Sequence, residues 1–70
     1  MTATHPAARV IAGPAKIGNI FGFYGRMVPA GRYAVVTDGE YSDGGWGPIA
    51  TLPTLYASEA EAKAALAAMP

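Results

Sequence analysis

Seventy residues make at most one domain, and a chain this short buries only about 60% of the surface its unfolded form exposes. With no Cys and a single His, disulfides and Cys-ligated metals are excluded and little is left for a zinc site; extra stability would come from association, with a second copy or with a partner. Five basic and five acidic residues cancel, which argues against a generic duplex-DNA binder, whose affinity needs a basic excess, and against an acidic mimic of nucleic acid.

Taken in chain order, Met1–Ala8 is small, polar and interrupted by Pro6, the composition of a flexible arm preceding one domain over residues 9–70. Arg9–Ala12 is a short apolar run closed by the turn signal Gly13-Pro14, and could add a first strand. Lys16–Val28 alternates bulky apolar residues with Gly18, Gly22 and Gly25. Interior glycines disfavour a helix, so the segment predicts a bent or bulged strand, with a glycine-rich ligand loop as the competing reading. Its alternation puts Phe21, Phe23, Gly25 and Met27 on a core face. Ile20, Gly22, Tyr24, Arg26 and Val28 fall on the other.

Val28-Pro29-Ala30-Gly31 fits a tight turn, and Arg32–Asp38, rich in Tyr, Val and Thr, predicts the firmest strand, paired with the preceding one as an antiparallel hairpin. Gly39–Gly45 reads as a polar loop. Trp46–Tyr56 returns to the sheet, with Pro48 and Pro53 predicting a strand that is short, interrupted or at an edge and centred on Ile49–Leu52.

Ser58–Met69 predicts a helix. Ser58 is a good N-cap, Glu61 completes a capping-box spacing, Glu59 and Lys63 stand four apart, and Ala62, Ala65, Leu66 and Met69 make the apolar stripe. The resulting fold class is α+β: a small antiparallel sheet of three strands, four if Arg9–Ala12 joins, packed by one C-terminal helix in the order β-β-β-α.

Chemical motifs are scarce. His5 lies in the arm with no fixed partner, and a general base must be held within hydrogen-bond reach of its target. Asp38–Gly44 has oxygen ligands on alternate residues, but Asp43 occupies the position where an EF-hand needs Gly, and no acid follows at the twelfth. Gly13–Gly18 lacks the Gly-Lys-Ser/Thr ending of a phosphate loop, and Gly22 and Gly25 complete no dinucleotide fingerprint. No catalytic residue, metal or cofactor is assigned, and the chain reads as non-enzymatic.

The charges divide along the chain. Arg9, Lys16, Arg26 and Arg32 precede every acid. The halves either face apart and make a dipole that orients a partner, or interleave in the sheet and pair locally, and the second is favoured. No run approaches the ~20 apolar residues of a membrane span, and the missing Cys and leader fit a cytoplasmic protein.

Seven aromatics fall in the predicted sheet and its loop. Phe21 and Phe23 are expected in the core. Tyr41 and Trp46, on a Gly-rich loop, are expected to be exposed and to touch a partner, followed by Tyr24, Arg26 and Arg32. A three-stranded sheet followed by a helix that opens Ser58-x-x-Glu61-Ala62 is similar to the arm-type DNA-binding domains of phage integrases and related plant domains, over roughly Phe21 to Met69. That resemblance implies nucleic-acid binding through the sheet, with Arg26 and Arg32 on phosphates. Those domains carry many basic residues there and this chain carries two, so no family is assigned.

The expectation that follows is a small non-catalytic module that binds another protein or protein complex, or its own copy, and acts by occupying a surface. Very small phage and mobile-element proteins, such as anti-CRISPR inhibitors of host defence complexes, work this way; size class alone supports that analogy. Nucleic-acid binding is the alternative, disfavoured by the zero net charge.

Overall fold

A computed structural model describes residues 8–69. Residues 1–7 of the arm, with His5, lie outside them. Five strands and one helix follow in order: β1 (Arg9–Ala12), β2 (Ala15–Gly18), β3 (Tyr24–Val28), β4 (Tyr33–Glu40), β5 (Trp46–Ala50) and α1 (Glu59–Ala67). The chain is α+β with a five-stranded mixed sheet in the order β1-β4-β5-β2-β3. This corrects the three- or four-stranded antiparallel sheet, and with it the three-stranded pattern on which the integrase-domain resemblance rested.

The main difference lies in Lys16–Val28. It is two strands of a hairpin joined by a turn at Asn19–Phe23, and β2 and β3 pair antiparallel with Ala15 opposite Val28. The turn at Pro29 does not make a hairpin. Arg32 N–H donates to Pro29 carbonyl at 3.1 Å and Gly31 takes φ +83°, a conformation suited to glycine. That turn separates strands which pair elsewhere, β3 with β2 and β4 with β1 and β5.

The glycine-permitted bulge is present, and it changes which residues share a face. Ile17 stands opposite Arg26 and Gly18 opposite Tyr24, so Gly25, at φ +124°, is the extra residue. Tyr24 and Arg26 therefore point to opposite faces, correcting the expectation that they share one. The predicted core face is also reversed. Ile17 and Val28 are fully buried, whereas Phe21, Phe23 and Met27 are exposed. Alternation gives the period of a strand but not which side is covered, and here Phe21 and Phe23 belong to the turn rather than to a strand.

The sheet cannot be flat. β1 and β2 run in the same direction and are separated only by Gly13-Pro14, yet they stand first and fourth in strand order. Three strand spacings are about 14 Å, while three extended residues reach only about 11 Å. The β2–β3 ribbon therefore turns back over the other strands, and Ile17 and Val28 close a core with Ala34, Val36 and Ala50, flanked by Ile11, Ala15 and Leu55. Gly13 permits the turn, because a β-carbon there would overlap the backbone of Val28–Pro29.

β4 is the centre of the molecule. Ala34, Val35 and Val36 are all fully buried, so both of its faces are covered, and its apolar run reads as continuous rather than alternating. It also extends through Gly39 and Glu40, further than expected. β5 is central, between β4 and β2, not at an edge. Pro48 is tolerated there because Thr51 N–H bonds Val35 carbonyl, which puts Pro48 opposite Asp38 in a non-hydrogen-bonded pair. Its missing N–H falls on the β2 side, where the only pairing is Gly18 with Ile49. After Ala50 the chain leaves the ladder and returns for one bridge, Tyr56 with Tyr33.

α1 forms with the N-cap the sequence specifies but is shorter than the predicted Ser58–Met69: it ends at Ala67, with Ala68 as C-cap and Met69 beyond the helix. The Ser58 hydroxyl accepts from Glu61 N–H at 3.1 Å, and Lys63 meets Glu59 at 3.4 Å. The helix packs on β1 and β4, with Ala62 fully buried and Ala65 and Leu66 half-buried; Met69, just past its end, is half-buried as well. No helix among the described residues is long and apolar enough to cross a membrane.

Candidate functional site

The two turns at one end of the sheet are fastened together. Asn19 organises the first: its side-chain oxygen accepts from Phe21 N–H at 2.8 Å and Phe23 N–H at 3.2 Å, its own N–H donates to Phe23 carbonyl, and its carbonyl accepts from Gly22 N–H. In the second turn Tyr41 N–H donates to Gly45 carbonyl, and an Asp43 carboxylate oxygen accepts from Gly45 N–H at 2.9 Å. Ser42 N–H donates to Gly22 carbonyl at 2.7 Å and ties one turn to the other. The backbone at this end is thus fixed, while Phe21 (75% exposed), Phe23 and Trp46 (72%) project into solvent.

Beneath them lies Tyr41. The sequence placed it on an exposed loop; the structure buries it to 8% exposure. β4 runs on to Glu40, so Tyr41 leaves directly from the strand, and its ring settles into a cradle of Gly18, Gly45 and Gly47, none of which has a side chain to block it. Its hydroxyl donates to Pro48 carbonyl at 3.0 Å. Burial pushes the Tyr41 pKa above its usual value, with smaller contributions from Tyr24, Asp38 and Asp43.

The Tyr24 ring lies 4.6 Å from that of Tyr41 at 49°, and the Lys16 ammonium stands 5.2 Å above Tyr24. Together with Asp43, Trp46 and Pro48 they line a groove of about 370 Å³. Its order follows from the contacts: Lys16 over Tyr24, Tyr24 against Tyr41, Tyr41 against Gly45, and Gly45 held by Asp43. A cation thus stands at one end of the aromatic row and a carboxylate at the other.

Of the five residues singled out from sequence, Tyr24, Tyr41 and Trp46 are brought together. Arg26 is not with them; it points to the other face of β3 and donates to Pro53 carbonyl. Arg32 is exposed at the start of β4, near the Pro29 turn. Arg9 pairs with Asp38 through two contacts of 3.1 and 3.2 Å, so here the two charge halves interleave. Asn19 and Lys16 were missed. The Asn-x-Phe-Gly-Phe spacing with a central Gly is the signal that could have marked Asn19–Phe23 as a turn. Among the described residues no group of three His, Cys, Asp or Glu side chains could hold a metal.

No family model matches the chain, and no curated protein or solved structure shows a significant match to it.

Proposed function

We propose that this protein is a non-catalytic module that binds another protein by laying its aromatic end on the partner and occupying that surface. One observation carries the reading. Among the described residues, the six exposed large apolar side chains, Ile20, Phe21, Phe23, Tyr24, Met27 and Trp46, lie on the β2–β3 hairpin or at the start of β5, in the part of the sheet that α1 does not cover. Exposed apolar side chains gathered in this way on a small chain support an interaction surface, and Trp, Tyr and Phe are the residues that anchor such surfaces. The hydrogen-bonded turns fix the backbone that carries these rings before contact, which lowers the ordering cost of binding.

Dispersal of the arginines favours this reading over nucleic acid. Arg9 is engaged by Asp38 and Arg26 by Pro53, which leaves Lys16 as the cation beside the aromatic row. Capture on the immobilised wild-type protein, compared with Trp46→Ala and with Phe21→Ala/Phe23→Ala, tests the proposal. Proteins retained by wild type and lost from both variants, with unchanged circular dichroism, support it. Identical capture by all three forms removes it.

A further inference from the structure

We propose that the groove between Lys16 and Asp43 receives a proline-rich segment of the partner in the polyproline II conformation, with a basic side chain beside Asp43. The inference rests on the protein-binding reading and specifies what is bound. A polyproline II segment is poor in donors, since proline has no N–H, and rich in acceptors, since its carbonyls make no internal hydrogen bonds. The groove has the complementary set. Trp46 Nε1, the Tyr24 hydroxyl and the Lys16 ammonium are donors without a hydrogen-bonded acceptor among the described residues, whereas the Tyr41 hydroxyl is already used by Pro48. Between these donors lie the exposed ring of Trp46, the ring of Pro48 and the part of the Tyr24 ring that Lys16 and Tyr41 leave open, a surface on which proline rings pack, with the enclosed Tyr41 ring as its floor.

Charge selects the flank. One Asp43 oxygen holds Gly45 N–H; the other has no donor among the described residues and is available to an arginine or lysine. Other ligand classes fit less well. A quaternary ammonium would need the Tyr24 face that Lys16 already covers, and Tyr41 is too enclosed to form a second wall. A nucleotide could stack on Trp46, but Asp43 in the same groove offsets the attraction of Lys16 for its phosphate, and among the described residues no second cation lines the groove. The volume of about 370 Å³ is at the small end of ligand grooves, in keeping with a short peptide segment.

The test is a titration of the ¹⁵N-labelled full chain, followed by nuclear magnetic resonance. The probe is a capped hexaproline peptide with one arginine at its amino end. Saturable shifts are expected at the Trp46 indole N–H and the Gly45 and Gly47 amides. Replacing alternate prolines by glycine abolishes them, and exchanging arginine for glutamate weakens them. Trp46→Ala lowers affinity at least about tenfold. Asp43→Asn, which keeps an oxygen for Gly45, lowers affinity for the arginine peptide about two- to fivefold and removes the preference over glutamate. No saturable shift at these three positions, equal shifts with the glycine-substituted peptide, or the same shifts only with a thymidine oligonucleotide would overturn the proposal. Protein capture that still depends on Phe21 and Phe23 would then show that the error lay in the occupant and not in the protein-binding reading.

Discussion

Gly18 lies against the ring of Tyr41 so closely that a β-carbon on Gly18 would stand 2.8 Å from Tyr41 Cε1. The contact crosses the weakest seam of the sheet, where β2 meets β5 through a single bridge. The buried ring supplies there the cohesion that a longer ladder would otherwise provide, and it supports the groove from below. Gly18→Ala should therefore destabilise the protein by about 1–3 kcal/mol, as overpacking does. Urea unfolding measures it, and a loss below the detection limit would mean that the cradle yields freely.

Tyr41→Phe keeps the ring and removes its hydroxyl from Pro48 carbonyl. The expected cost is about 1 kcal/mol, the net value of one hydrogen bond, with the fold intact. Tyr41→Ala should cost more than either change, because it empties the cradle.

Tyr41 also predicts a pH dependence. Burial raises its pKa in the folded state above the unfolded value of about 10, so the folded protein holds that proton more tightly than the unfolded chain. Between the two pKa values the unfolded state binds fewer protons, and stability falls as pH rises. Below about 10 the contribution is fully present. Tyrosinate absorbance during an alkaline titration should show one late step that Tyr41→Phe removes.

These tests concern features only partly legible in the sequence. The α1 cap, its Glu59–Lys63 pair and its apolar stripe could be read directly, because helix signals are local. The bulge at Gly25 was foreseen as a possibility of the segment, but its position was not, and that position decides that Tyr24 joins Tyr41 while Arg26 faces away. Strand order was not legible at all. β1 and β2 are joined by Gly13-Pro14, yet β1 pairs with β4 and β2, besides its hairpin with β3, meets β5, and no local signal encodes those longer-range pairings. Tyr41 illustrates the same limit: its burial depends on glycines contributed by β2, the second turn and β5.

Asn19→Ala should release the first turn. Two N–H groups, those of Phe21 and Phe23, lose their side-chain acceptor. Each such bond is worth about 0.5–1.5 kcal/mol, and the change is expected to appear locally, as faster amide exchange at Phe21 and Phe23 with little effect in β4. Partner affinity should fall even though no contacting ring has been altered, because the rings must then be ordered on binding.

The ion pair of Arg9 with Asp38, by contrast, is more than a third exposed on both sides. Arg9→Ala should cost no more than about 1 kcal/mol, and less in high salt. A larger, salt-insensitive loss would assign Arg9 a packing role at the edge of β1 that the pairing does not explain.

Trp46 is the only tryptophan of the chain, so its biosynthetic replacement by 5-hydroxytryptophan, excited where a partner's tryptophans do not absorb, gives a fluorescence that reports the candidate surface alone. Acrylamide quenching of that fluorescence, in the free protein and in the complex recovered by capture, is the most direct measurement of the gripping surface. Ready quenching of the free protein, together with strong protection in the complex, is the predicted result. A Trp46 already shielded in the free protein, or equally quenched after the partner has bound, would contradict it.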